Sequence, residues 1–293
     1  MMRLEPTAPL WVAARALIAE RKCDLEQRWN RAERTFDAED IHDLRVSSRR
    51  LREALAFFSP CFPSKSLDRI SSRTKHLTRM LGTMRNTDEA MIFFRSCATS
   101  GQRAPELDRL LSQLEQERKQ ELKLLKAGLQ SHPLAPLREQ LDALLLEPDL
   151  FANERVDPFT QIVAFAREMI VERMKGVAEL LPLATDEKQV DALHRLRIAI
   201  KRLRYRYELL APLAGSGHAE LLAIVKAYQD LLGTMHDLDL FAEMVAKRLP
   251  ETSDKTRLLA EIAGLRHALF ADFSAMLRRS PLPDTGEQMR RSL

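Results

Sequence analysis

Apolar positions in residues 41–60, IHDLRVSSRRLREALAFFSP, fall three and four apart, the spacing of an amphipathic helix. On a helical wheel Leu44, Leu51, Leu55 and Phe58 lie within about 60° of arc, and His42, Arg45, Arg49 and Arg52 lie within about 80° on nearly the opposite side. The same division returns in LHRLRIAIKRLRYRYELLAP from Leu193, where Leu196, Leu203 and Leu210 oppose His194, Arg197, Lys201 and Arg204. Each segment therefore predicts a helix with one core face and one cationic ridge. Asp37 or Asp40 is placed to cap the first, and the prolines of SPCFPS stop it. The second starts in TDEKQVDALH and stops at APLAGSG.

These helices belong to a longer repeat. A shift near 152 residues aligns ARALIAERK from Ala14 with AREMIVERM from Ala166, then the two basic helices, then KHLTRMLGTMRNTDEA from Lys75 with KAYQDLLGTMHDLDLF from Lys226. A weaker fourth match sets RLLSQLEQER, ending at Arg118, beside RLLAEIAGLR, ending at Arg266. Order and spacing predict an all-α protein of two pseudo-symmetric halves, 1–150 and 151–293, each a four-helix bundle, joined through LLLEPDLFANERVDPF. Gly82 and Gly233 interrupt helical runs and predict a bend or break, after which NTDEA and DLDLF can start another short helix.

Composition narrows the class. With 293 residues, 45% hydrophobic, the chain can bury a substantial core, and 9 glycines with 6% aromatics favour helices over strands. The formal charge of +4 is modest, so its distribution matters more than its sum. Six Lys or Arg and no acid lie between Arg195 and Arg206. Cys23, Cys61 and Cys97 are widely spaced, without a CxxC, which argues against a disulfide framework or zinc knuckle. The chain holds no 18-residue apolar run, and Glu5 with two prolines breaks what a signal peptide would need, so a soluble cytoplasmic protein is expected.

A solvent-facing helix usually mixes its charges, because opposite charges on neighbouring turns attract and like ones repel. Two ridges of equal phase, each about 15 Å long by helical rise, would line one groove if the halves pack about a pseudo-two-fold axis. A cleft lined by one sign of charge attracts an extended anion, and arginine suits phosphate because its planar fork donates two aligned hydrogen bonds.

At these residues a resemblance enters. HDLRVSSRRLR and HRLRIAIKRLR resemble the signature of the CHAD family, the conserved histidine α-helical domain. The LGTM blocks running into RNTD and HDLD resemble its second signature, departing from it at Asn86 and His236. The resemblance spans almost the whole chain and implies inorganic polyphosphate binding in a central basic groove, without catalysis. The ligands it implies are His42, Arg45, Arg49, Arg50 and Arg52, and His194, Arg197, Lys201, Arg202 and Arg204, with Lys75 and Lys226 at the groove wall. Arg15, Arg21, Arg79, Arg118, Arg167, Arg173 and Arg266 stand equally for groove lining or ordinary surface roles.

Walker loop, HExxH motif and glutamate-rich triphosphate strand are all missing from the sequence, so no enzyme, cofactor or metal is expected. His236, Asp237 and Asp239 could be imagined as metal ligands, but Asp88 and Asp239 recur in both halves and better fit helix capping or pairing with arginines. Three alternatives remain. One is a histidine phosphotransfer module using His42 or His194. Another is nucleic-acid binding, which the shortage of aromatics for base stacking disfavours, since Tyr205 and Tyr207 have no counterparts in the first half. The last is a structural protein of storage granules, compatible with polyphosphate as partner and with a granule location. With model imidazole titrating near about 6.5, affinity for a polyanion is expected to rise as pH falls toward about 6.

Overall fold

A computed structural model describes residues 4–99, 105–146 and 156–293. Its helices are α1 (Leu10–Thr35), α2 (Ala38–Phe57), α3 (Ser64–Thr99), α4 (Pro105–Ser131), α5 (Leu134–Leu146), α6 (Ile162–Leu180), α7 (Val190–Leu209), α8 (His218–Arg248), α9 (Ser253–Arg279) and α10 (Leu282–Ser292). The described residues form no sheet, in keeping with the all-α expectation. Helix order repeats after α5: α1 to α4 correspond to α6 to α9. Each series also carries a fifth, shorter helix that the four-helix expectation did not include; α5 packs on α1 and α3, and α10 on α6 and α8. Most of the expected junction, residues 147–155, lies outside the described residues.

The basic helix α2 begins where Asp37 accepts a 2.8 Å hydrogen bond from the Asp40 backbone N–H, satisfying one of the first turn's free donors. It ends before the 3-10 turn Ser59–Cys61, where Pro60 cannot continue a helix. Leu44, Leu51, Leu55 and Phe58 are fully buried, as are Leu196, Leu203 and Leu210 on α7. Burying a leucine contributes about 1.5–3 kcal/mol, while an exposed ion pair contributes roughly 0–1 kcal/mol. The core face therefore sets the rotation of each helix, and the ridge takes the direction left over.

Counterpart helices touch across the two series: α1 meets α6, α2 meets α7 and α3 meets α8. One apolar core runs through both, joining Leu44 and Leu51 to Leu196, Leu203 and Tyr207. At the series' starts the Leu10 N–H donates to Thr160 O at 2.8 Å and the Ile162 N–H donates to Ala8 O at 2.9 Å, a reciprocal pair between residues 152 apart. A second core at the far ends of α3, α4, α8 and α9 contains Phe94, Leu110, Phe241 and Ile262, with Phe93 stacked on Phe241 at 4.8 Å.

The expected interruption at Gly82 and Gly233 does not take the form of a break. Both glycines lie within unbroken helices, α3 and α8, and NTDEA and DLDLF continue those helices rather than starting new ones. The cost of glycine in a helix interior is about 1 kcal/mol, too small to break helices packed over most of their length. Their place is explained by what crosses them.

Candidate functional site

A Cβ built on Gly82 would stand 3.6 Å from Arg45 Nη2, and one on Gly233 would stand 3.7 Å from Arg197 Nε. Each LGTM glycine thus lies beneath the ridge arginine of its own half, where a side chain longer than methyl would push the guanidinium aside. The α2–α7 contact then brings the ridges together. The Arg49 guanidinium from α2 and that of Arg204 from α7 lie 5.4 and 4.8 Å from the Tyr205 ring centroid, within reach of its π face.

Lys201 registers the crowding most strongly. Burial, followed by Arg49, Arg197, Arg45 and Arg202, pushes its ammonium down to about 7. Arg45 is lowered by burial and then by Arg49, and Arg52 by burial, against Glu53, with Arg49, Arg202 and Arg79 adding to it. Arg197 is lowered by burial, and Asp237 opposes that shift. His42 Nδ1, Arg45 Nε and Arg204 Nε are buried without a hydrogen-bond partner, unusual for groups whose desolvation costs about 1–3 kcal/mol.

Histidine chemistry differs from the expected titration near 6.5. His42 is lowered by burial and then by Arg85, and His194 by burial and then by Arg197 and Lys201. His236 is pushed down to about 4 by burial, Arg197, His194 and Lys201, and its Nδ1 lies 3.2 Å from His194 Nδ1. In the free protein these imidazoles therefore charge at lower pH than an ordinary histidine does.

Several residues implied by the resemblance are engaged elsewhere. Arg50 pairs with Glu208 across the α2–α7 boundary, where Glu53 also stands 3.9 Å from the buried Arg206. Arg202 is exposed and, with Arg173 and Arg195, lines a hollow between α6 and α7. Lys75 is exposed, and Lys226 is bound 2.5 Å away by Asp230 on the next turn of its own helix. Arg118 donates to Asp88 and Arg266 to Asp239, both at 2.5 Å; these symmetric struts tie α4 to α3 and α9 to α8, so the two acids pair rather than cap. Arg15 lies over Trp11, Arg21 is half-buried, Arg79 is exposed near Arg52, and Arg167 is exposed beside Lys175 and Arg290.

Arg85, Glu89, Asp237 and Tyr205 belong to the site although the resemblance did not imply them as polyphosphate ligands. Arg85 pairs with Glu89 at 2.6 Å. Asp237 is raised to about 6 by burial and Glu89, against Arg197, Arg85 and Arg45. The signal for Arg85 and Asp237 lay in the departures of the LGTM blocks: the first half keeps the arginine as Arg85 and changes the acid to Asn86, while the second keeps Asp237 and changes the arginine to His236. Among the described residues, no group of three or more His, Cys, Asp or Glu is placed to hold a metal ion. No helix of the described residues is long and apolar enough to cross a membrane.

The model of the family described as CHAD domain matches residues 16–246, most of the chain. The chain belongs to the CHAD family. Its fold is similar to the crystal structure of the CHAD domain from the plant Ricinus communis, with a TM-score of 0.66 and 22% identity over 100% of this chain and 95% of that one. It is also similar to PptA from Streptomyces chartreusis, with a TM-score of 0.64 and 12% identity over 97% of this chain and 100% of that one. Two Mycobacterium tuberculosis proteins, Uncharacterized protein MT2285 (strain CDC 1551 / Oshkosh) and Uncharacterized protein Rv2226 (strain ATCC 25618 / H37Rv), are each 27% identical over 216 residues. That alignment takes 71% of this chain and 40% of each relative, so the chain spans well under half the length of these relatives.

Proposed function

We propose that the facing ridges of α2 and α7 form a trough that binds inorganic polyphosphate reversibly, without cleaving or transferring it. The observation that carries this reading is the convergence of ridge cations from both halves, with Arg45 Nε and Arg204 Nε buried and lacking an acceptor. Glu89 and Asp237 are the carboxylates that act on Arg45 and Arg197, and they are outnumbered by Arg45, Arg49, Arg197, Lys201 and Arg204. A linear polyanion offers such a row of forks an acceptor at every turn of the helix. The polyphosphate association of the CHAD family supports the same reading.

RNA fits less well, because Tyr205 and Tyr207 are 5% and 0% exposed and cannot offer a face for base stacking. Polyphosphate of the cytoplasm or of a storage granule is the partner this reading calls for. Calorimetric titration with long-chain polyphosphate at two salt concentrations tests it, with tripolyphosphate, ATP and RNA as comparisons. The expected result is tightest binding to the long chain and affinity that falls steeply with salt, as counterions are released. Tighter binding of RNA, or phosphate covalently retained on His42 or His194, would overturn it.

A further inference from the structure

The two ends of the proposed trough differ. At the first-half end Arg85 acts on His42, Arg45 and Asp237, so its guanidinium lies close to the α2 ridge. It also lines a hollow of about 410 Å³ between α3 and α4, together with Arg95, Arg118, Lys119, Asp88 and Glu115. Arg85 therefore links the two places: it acts on the ridge of α2 and, beside Met91 and Ile92, lines the hollow that the α4 cations face.

Aligned positions at the opposite end carry other chemistry. Arg85 corresponds to His236, Arg118 to Arg266, Lys119 to His267 and Arg95 to Ala246. His236 is neutral at ordinary pH, as burial holds it near about 4. Arg266 is held by Asp239 at 2.5 Å and by Glu187 at 3.1 Å, and the other oxygen of Glu187 faces His267 Nδ1 at 2.8 Å. Four cations at the first end meet three carboxylates, Asp88, Glu89 and Glu115. The opposite end sets one arginine and a histidine against two carboxylates.

The pairs at the first end can exchange. Arg95 and Glu115 are about half exposed, the class of ion pair that contributes least and gives way most readily to a competing anion. Lys119 is exposed, and no carboxylate partner is found for it among the described ion pairs. The Arg118–Asp88 strut is more buried and remains in place as the floor.

We infer that the hollow lined by Arg85, Arg95 and Lys119 is a second phosphate subsite, through which a polyphosphate chain too long for the trough leaves over α3 and α4, while the Glu187 end stays closed to it. The inference rests on polyphosphate binding in the trough. A chain confined to the trough would not reach the subsite; a chain of several tens of phosphates would.

The test compares the intact protein with Arg95→Glu/Lys119→Glu, titrated with tripolyphosphate and with long-chain polyphosphate. Both side chains are exposed, and unchanged melting will verify the fold. The long chain is expected to bind about tenfold or more weakly, with a salt slope shallower by about 1–2, and tripolyphosphate affinity is expected to stay the same. Glu187→Gln, the converse variant, should hold the long chain more tightly. Equal affinity of the double variant and the parent protein for the long chain, or equal loss for both ligands, overturns the subsite while leaving the trough. Failure of the parent protein to bind either ligand overturns the trough, and the subsite with it.

Discussion

Replacing Arg45 and Arg197 together by glutamate is expected to take polyphosphate binding below detection while leaving the helical signal unchanged. Each arginine lies on the ridge of its own half, over the LGTM glycine that makes room for it. A hydrogen bond to a charged group contributes about 1.5–3 kcal/mol, so losing one at each site costs roughly 3–6 kcal/mol, or about a hundred- to ten-thousandfold in affinity. The new carboxylates add repulsion toward phosphate, which deepens the loss. Folding should survive, because both side chains sit among other cations that burial and repulsion already disfavour. Circular dichroism and a melting curve measured beside the titration check this; a collapse of helicity would make the two arginines structural.

Replacing Lys201 by methionine is expected to stabilise the free protein, most at and below pH 7. The folded lysine titrates at about 7 against the ordinary value of 10.5, so between those values the unfolded chain holds more protons than the folded one. Stability therefore rises with pH across that window, and the cost of charging the buried ammonium is fully present below about 7. At about 1.4 kcal/mol per pK unit the penalty amounts to a few kcal/mol, which corresponds to a melting temperature several degrees higher in the variant near neutral pH. The gain should shrink as pH approaches 10, where the native lysine is already neutral. A bound polyanion reverses the shift, so polyphosphate binding at pH 8 to 9 should take up a proton, seen as a buffer-dependent binding enthalpy in the parent protein and reduced in Lys201→Met. A variant less stable than the parent at pH 7, or proton uptake unaffected by the substitution, would contradict this account of Lys201.

Much of this was legible in the chain, for a physical reason. Period and phase of Leu44, Leu51, Leu55 and Phe58 report burial directly, and the repeat at Leu196, Leu203 and Leu210 reports it again, so core faces and ridge faces could be read before any contact was known. The glycines were misread because helix propensity describes an isolated helix. At Gly82 and Gly233 the demand is spatial, set by a guanidinium arriving from another helix. Pairing with arginines was one of two readings open for Asp88 and Asp239, but the partners themselves were hidden: that Arg50 meets Glu208, or that Arg118 and Arg266 meet those acids, depends on helix packing rather than on local pattern. The pairing of His194 with His236 joins residues 42 positions apart on neighbouring helices, and the sequence marked it only as a departure from the family's second signature.

The most direct measurement is a crystal structure of the protein with a polyphosphate chain bound. The account predicts one continuous chain with phosphate oxygens within hydrogen-bond distance of both Arg45 and Arg197, so that residues of α2 and α7 hold the same molecule. Phosphate bound to only one half, or on the outer surface away from the α2–α7 seam, would contradict it.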